Sequence, residues 1–255
     1  MLEKRSTHIS KTRIGYSTLD SLGELKIVSI LNLLQDTASE HASDMGVSGF
    51  DLARENLAWV IVRYQIEIKT SPAWRDEIAI ETWRTPINNL YELRQFRITD
   101  HNALEIVTAR AFWVMIKKAN SRPVRLSRYM PDRYLEGESP EDIPSFKTLR
   151  EPDRVDFELP FKVRMHDLDL NGHVNNAIYL EWAVETVPRE FLLANRPEHL
   201  EVTFQKESFY GDKIVSITQI ETIGNRSRTY HKIMEMQTKT ERARINILWR
   251  PANRQ

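Results

Sequence analysis

The stretch HDLDLNGHVNN, residues 166–176, sets Asp167, Asp169, Asn171 and His173 at alternating positions around Gly172. Residues of these types suit two chemistries. Alternating oxygens can converge on a calcium ion, as in D-x-[DN]-x-[DN]-G loops, and an imidazole beside carboxylates can move protons near neutral pH. A calcium loop of this kind must close with a bidentate Glu; Ile178 holds the position it needs, and Glu181 comes too late. Proton transfer is therefore the chemistry these side chains fit. His8, His41, His101, His166, His199 and His231 show no HxxxH or HExxH spacing. With only 8 Gly, no Gly-rich phosphate loop is present either, so neither a metal nor a cofactor is expected.

The composition narrows the class. The 255 residues, 41% hydrophobic and 28% charged, suit a globular chain with a sizeable core. Lys plus Arg and Asp plus Glu both number 36, so no overall field favours nucleic acid or an acidic membrane, and neither is expected as a partner. Cys is absent, which removes disulfides, thiolate metal sites and a thiol nucleophile. The opening MLEKRSTHIS has no apolar h-region, and LAWVIV and AFWVMI are too short to cross a bilayer. A cytoplasmic location is expected.

The elements that must position the polar cluster occur twice. PAWRDEIAIE (72–81) resembles SFYGDKIVSI (208–217), laying Asp76 over Asp212 and Trp74 over Tyr210. The same spacing lays Phe112-Trp113 over Leu248-Trp249, and upstream DSLGEL (20–25) lies over DLNGHV (169–174). The first copy is longer between turn and strands, with HASDMGVSGFDLAREN (41–56) as the natural extra loop. Each copy reads as a strand (6–14; 155–163), a turn, a long helix and four strand-like runs. In the first helix Ile27, Ile30, Leu31, Leu34 and Ala38 share one face; the second, from about Val174 to Leu193, is apolar nearly all round. The runs are 58–69, 77–84, 91–100 and 105–117, then 200–208, 213–222, 227–238 and 242–250, and their short connections imply antiparallel pairing. The expected organisation is an N-terminal domain 1–130, a Pro- and acid-rich linker 131–154 and a C-terminal domain 155–255 carrying the polar cluster.

A long helix wrapped by an antiparallel sheet, repeated in tandem, is the double hotdog arrangement of the α+β class. The chain resembles the acyl-acyl carrier protein thioesterases of plants and bacteria. ENLAWVIVRYQIEI, SPAWRDEIAIETW and ARAFWVMIKK look like that family's first domain, and RMHDLDLNGHVNNAIYLEW like the signature of its second. The resemblance implies hydrolysis of the thioester of fatty acyl-acyl carrier protein, releasing free fatty acid and ending fatty acid synthesis. It also points to FQKES (204–208), where the family carries a catalytic Glu followed by Cys. Carried over position by position, the implied catalytic residues are Asp169, Asn171, His173 and Glu207, with Ser208 in place of the Cys.

The duplication separates these residues. Asp169 and Gly172 have counterparts in Asp20 and Gly23, so they suit the turn into the helix, with Asp as a cap. Asn171, His173 and Glu207 face Leu22, Glu24 and Ser71, so the second copy alone carries the polar set. Glu207 and His173 are expected to activate a water, Asn171 to position His173 or the substrate, and Asp169 to tune the network; a carboxylate nucleophile is a second route. Substrate contacts are expected at Ser208 and at backbone N–H groups near Gly172 and Val174, where a helix start offers an oxyanion site. Lys117, Lys118, Arg122, Arg125, Arg128 and Arg133 form a basic run suited to an acidic carrier protein or to a solvated connector. A hotdog acyl-CoA thioesterase, a hydroxyacyl dehydratase or hydratase, and a non-catalytic acyl-carrier binding protein are the alternatives. Monomer and homodimer both suit two fused repeats.

Overall fold

The computed structural model describes residues 7–86, 89–130 and 147–252. The chain divides into two compact units, 1–63 with 69–146 and 64–68 with 147–255. The first holds β1 (Thr7–Arg13), α1 (Ile27–Asp44), α2 (Gly49–Arg54), β2 (Leu57–Ile68) as far as Arg63, β3 (Glu77–Pro86), β4 (Tyr91–Thr99), β5 (Glu105–Lys117) and the two-residue β6 (Arg122–Pro123). Its strand order is β1-β3-β4-β5-β2, with β6 beside β5. The second holds β7 (Phe157–Lys162), α3 (Asn176–Glu185), α4 (Arg189–Ala194), β8 (Asn195–Phe204), β9 (Lys213–Ile223), β10 (Arg226–Glu235) and β11 (Glu241–Pro251), ordered β7-β9-β10-β11-β8. The two orders are the same, and the registered pairs are antiparallel in both units, as in Thr82↔Phe96 and Thr218↔His231. Each unit is a hotdog, a helix laid on an antiparallel sheet.

Burial follows the apolar periodicities. Ile27, Ile30, Leu31, Leu34 and Ala38 are all buried on α1. In α3 the buried set is Ala177, Tyr179, Leu180, Trp182 and Ala183, and Phe161 of β7 stacks on Trp182 at 5.6 Å. Along β11, Ala243, Ile245, Ile247 and Trp249 point into the core at every second position.

Some elements differ from expectation, β8 among them: it spans Asn195–Phe204 and not 200–208. The extra stretch after α1 is not a loop throughout, because it contains α2. Ser48 caps that helix: its Oγ accepts the Asp51 N–H (3.3 Å) while the Asp51 carboxylate accepts the Ser48 N–H (3.0 Å). The second long helix does not reach Leu193. It ends at Glu185, and Pro188, which has no N–H to continue the ladder, starts α4 instead. Of the expected linker, 131–146 lies outside the described residues. Its remainder is fastened to the second unit, where Arg244 Nη1 donates to the Leu149 carbonyl (2.8 Å) and the Asp153 N–H to Gln219 Oε1 (2.6 Å). Among the described residues no helix is long and apolar enough to cross a membrane.

Candidate active site

Between β7 and α3 the chain makes a one-turn 3-10 helix at Met165–Asp167 and then a loop closed by a bridge between Leu168 and Val174. Asp169 organises this loop. Its Oδ1 accepts the backbone N–H of Asn171 (2.8 Å) and of His173 (3.3 Å), and its own N–H donates to the His173 carbonyl (2.7 Å). Gly172 donates its N–H to the Asp169 carbonyl (3.0 Å) at φ +76°, a conformation that a Cβ makes costly. The first unit repeats the design. Asp20 Oδ1 accepts from Leu22 (2.8 Å) and Glu24 (3.0 Å), and Gly23 lies at φ +80°. Asp169 and Gly172 therefore shape the loop in both copies.

His173 leaves that loop toward the segment that follows β8. Its Nδ1 lies 3.5 Å from Glu207 Oε1, with the two side chains 29% and 31% exposed. Water can reach both. The Phe209 ring stands nearly perpendicular to the imidazole, at 85°, with centroids 5.0 Å apart. The two segments, distant in sequence, are tied together by the Val174 N–H donating to the Ser208 carbonyl (3.0 Å).

That tie bears on the expected oxyanion site: the N–H groups of Gly172 and Val174 are both engaged, on the Asp169 and Ser208 carbonyls. The cap differs too. Helix α3 begins at Asn176, and Asn175 caps it by accepting the Ala177 N–H (2.9 Å), so Asp169 closes the preceding loop and not the helix. Asn171 is exposed, and among the described residues no hydrogen bond joins its side chain to His173 or Glu207. Ser208 is wholly buried, and its Oγ makes no hydrogen bond of ordinary geometry.

Two neighbours escaped the sequence reading. Arg242, at the start of β11, donates from Nη1 to the Glu207 carbonyl (2.7 Å). Tyr179 of α3 is buried, which pushes its hydroxyl up to about 12; Ser208 and the Arg242 charge oppose that rise, and the Glu207 charge adds to it. Both residues sit in regular helix and strand patterns. The signal that could have found them is the duplication, which pairs them with Ile30 and Ile106. On the first unit Lys117, Lys118, Arg122, Arg125 and Arg128 are all exposed, and Lys117 pairs across strands with Arg122. Arg133 lies outside the described residues.

Comparison with known proteins gives a family to these features. Residues 5–134 match the model of the acyl-ACP thioesterase N-terminal domain, and residues 150–251 that of the C-terminal domain. The chain is 29% identical over 254 residues to a chloroplastic oleoyl-acyl carrier protein thioesterase of Coriandrum sativum, covering 86% of this chain and 69% of that one. It is 30% identical over 214 residues to the chloroplastic oleoyl-acyl carrier protein thioesterase 2 of Arabidopsis thaliana, covering 77% of this chain and 58% of the relative's length. An acyl-ACP thioesterase from Bacteroides thetaiotaomicron has the same fold, with a TM-score of 0.81 over 98% of this chain and 99% of that one at 23% identity.

Proposed function

The chain belongs to the acyl-ACP thioesterase family, and from that premise we propose that it hydrolyses the thioester of a fatty acyl group carried on acyl carrier protein, releasing the free acid and ending chain synthesis. The observation that carries this reading is the pairing of His173 Nδ1 with Glu207 Oε1 at 3.5 Å, open to water and present in the second copy alone.

Glu207 takes a proton from a water whose oxygen adds to the thioester carbonyl carbon. As the tetrahedral intermediate collapses the C–S bond breaks, and the proton passes by way of His173 to the departing thiolate sulfur. Asp169 holds the loop that aims the imidazole. Asn171, exposed beside it, meets the substrate. Gly172 gives the loop its turn. Val174 and Ser208 join the two segments through their backbone bond. The basic residues Lys117, Lys118, Arg122, Arg125 and Arg128 receive the acidic carrier. A cytoplasmic location, as monomer or homodimer, belongs to the same reading, and a chain without Cys fits a reducing compartment.

The test is hydrolysis of an acyl-carrier panel from short to long chains, with matched acyl-CoA esters alongside. Release of free acid, faster from the carrier than from CoA, is the expected result. Interconversion of hydroxyacyl and enoyl thioesters without acid release would make the protein a dehydratase or hydratase. Retained ligand binding with no turnover on any chain would make it a binding protein.

A further inference from the structure

Around Glu207 the second copy departs from the first in its supporting residues as well as in its reactive ones. The backbone beneath Glu207 is the same in both. The N–H groups of Gln205 and Lys206 donate to the Arg242 carbonyl at 2.8 and 3.3 Å, and those of Lys69 and Thr70 donate to the Ile106 carbonyl at 2.9 and 3.3 Å. The side chains at this position are unlike. Where the first copy closes the connection with Ile106, the second places a guanidinium. Its Nη1 donates to the Glu207 carbonyl at 2.7 Å, and its Nη2 lies 3.8 Å from Asp212 Oδ2. The Arg242 side chain is 14% exposed, and its Nε is buried with no hydrogen-bond partner.

An unpaired buried donor costs free energy, and Ile106 holds the same backbone bonds without that cost. Holding the connection together therefore does not account for the arginine. What Arg242 adds is a charge-assisted grip on the carbonyl of the residue whose carboxylate faces His173. Fixing that peptide fixes the direction in which the Glu207 side chain leaves the backbone.

We propose that Arg242 is a positioning residue for the hydrolysis, which holds the Glu207 backbone so that the carboxylate stays within reach of His173 and the attacking water. The proposal rests on the reading of Glu207 as the base. Displacing a reacting group by about 1 Å costs on the order of 10²-fold in rate.

The experiment installs the first copy's residue. Arg242→Ile is expected to lower kcat on an acyl-carrier substrate by roughly 10- to 100-fold while KM stays within about twofold. Its thermal midpoint should move little, because the same backbone carries Ile106 in the first unit. Arg242→Lys, which keeps the charge and a donor, should recover part of the loss. In a Glu207→Gln background, Arg242→Ile should add almost nothing, since the group it aims is already gone. Undiminished kcat in folded Arg242→Ile, or losses that multiply in the double variant, would overturn the proposal and leave the Glu207 reading standing. Full activity in Glu207→Gln alone would remove that reading and this one with it. Should Arg242→Ile fail to fold, Arg242→Gln takes its place, and an unchanged kcat there counts equally against the proposal.

Discussion

At the scale of single residues, Ser208 tests how the thioester is broken. It stands where the resemblance to the plant enzymes puts a Cys, and the chain contains none. A serine hydroxyl needs a base to become a nucleophile. Ser208 is fully buried, its Oγ makes no hydrogen bond of ordinary geometry, and the imidazole of His173 faces Glu207 instead. Ser208→Ala is expected to keep most activity, whereas His173→Ala and Glu207→Gln each lower turnover by about 10² to 10⁴. Steady-state rates of the three folded variants check this, and an acyl group trapped on Ser208 and seen by mass spectrometry would reverse it. His173 was singled out by its motif and Glu207 by the family resemblance, and their counterparts, Glu24 and Ser71, set both apart from the repeat. Arg242 and Tyr179 break it too, but inside strand and helix patterns where a polar residue passes for a solvated or core position.

Among the elements, β9 and β10 carry a buried polar group that has no part in the proposed reaction. His231 lies fully buried between Thr218 Oγ1 (2.8 Å) and Thr229 Oγ1 (2.7 Å), and Thr229 also accepts from Trp249 Nε1 (2.9 Å). Burial pushes the imidazole pKa down to about 3. Below about pH 6.5 the unfolded chain takes a proton that the folded chain refuses. Stability is therefore unaffected by this group above about pH 6.5 and falls as the pH drops from there toward about 3. His231→Phe copies Phe96, which pairs with Thr82 as His231 pairs with Thr218. It should flatten the dependence of the urea midpoint on pH across that range, even where the lost hydrogen bonds lower the midpoint itself. Equal slopes in both proteins would rule out His231 as the source. The strands were legible because their runs, β2 and β11 among them, are rich in Val, Ile, Thr and aromatic residues. The helix boundaries were less so, since α2 depends on a local cap at Ser48 and the end of α3 on Pro188 meeting an otherwise continuous apolar pattern.

For the molecule as a whole, positive and negative charges balance at 36 each, so any attraction for an acidic partner has to be local. The exposed run Lys117, Lys118, Arg122, Arg125 and Arg128 is such a concentration. Lys117 and Arg122 stand directly opposite each other across β5 and β6, and like charges so placed weaken a strand pair. Folding gains nothing from that arrangement, whereas a carrier with an acidic surface would. Reversing Lys118, Arg125 and Arg128 to Glu, residues outside the β5–β6 pairing, is expected to raise KM for acyl-carrier substrates by about tenfold, with kcat little changed. A small acyl thioester without the carrier should be hydrolysed as before. Added salt should raise the unaltered protein's KM toward that of the variant, because exposed charges are screened beyond roughly 10 Å at about 0.1 M. Equal loss on the carrier-bound and the small substrate would assign the segment to the support of the fold, and a gap in KM that persists at high salt would mean that contact geometry, not charge, receives the carrier.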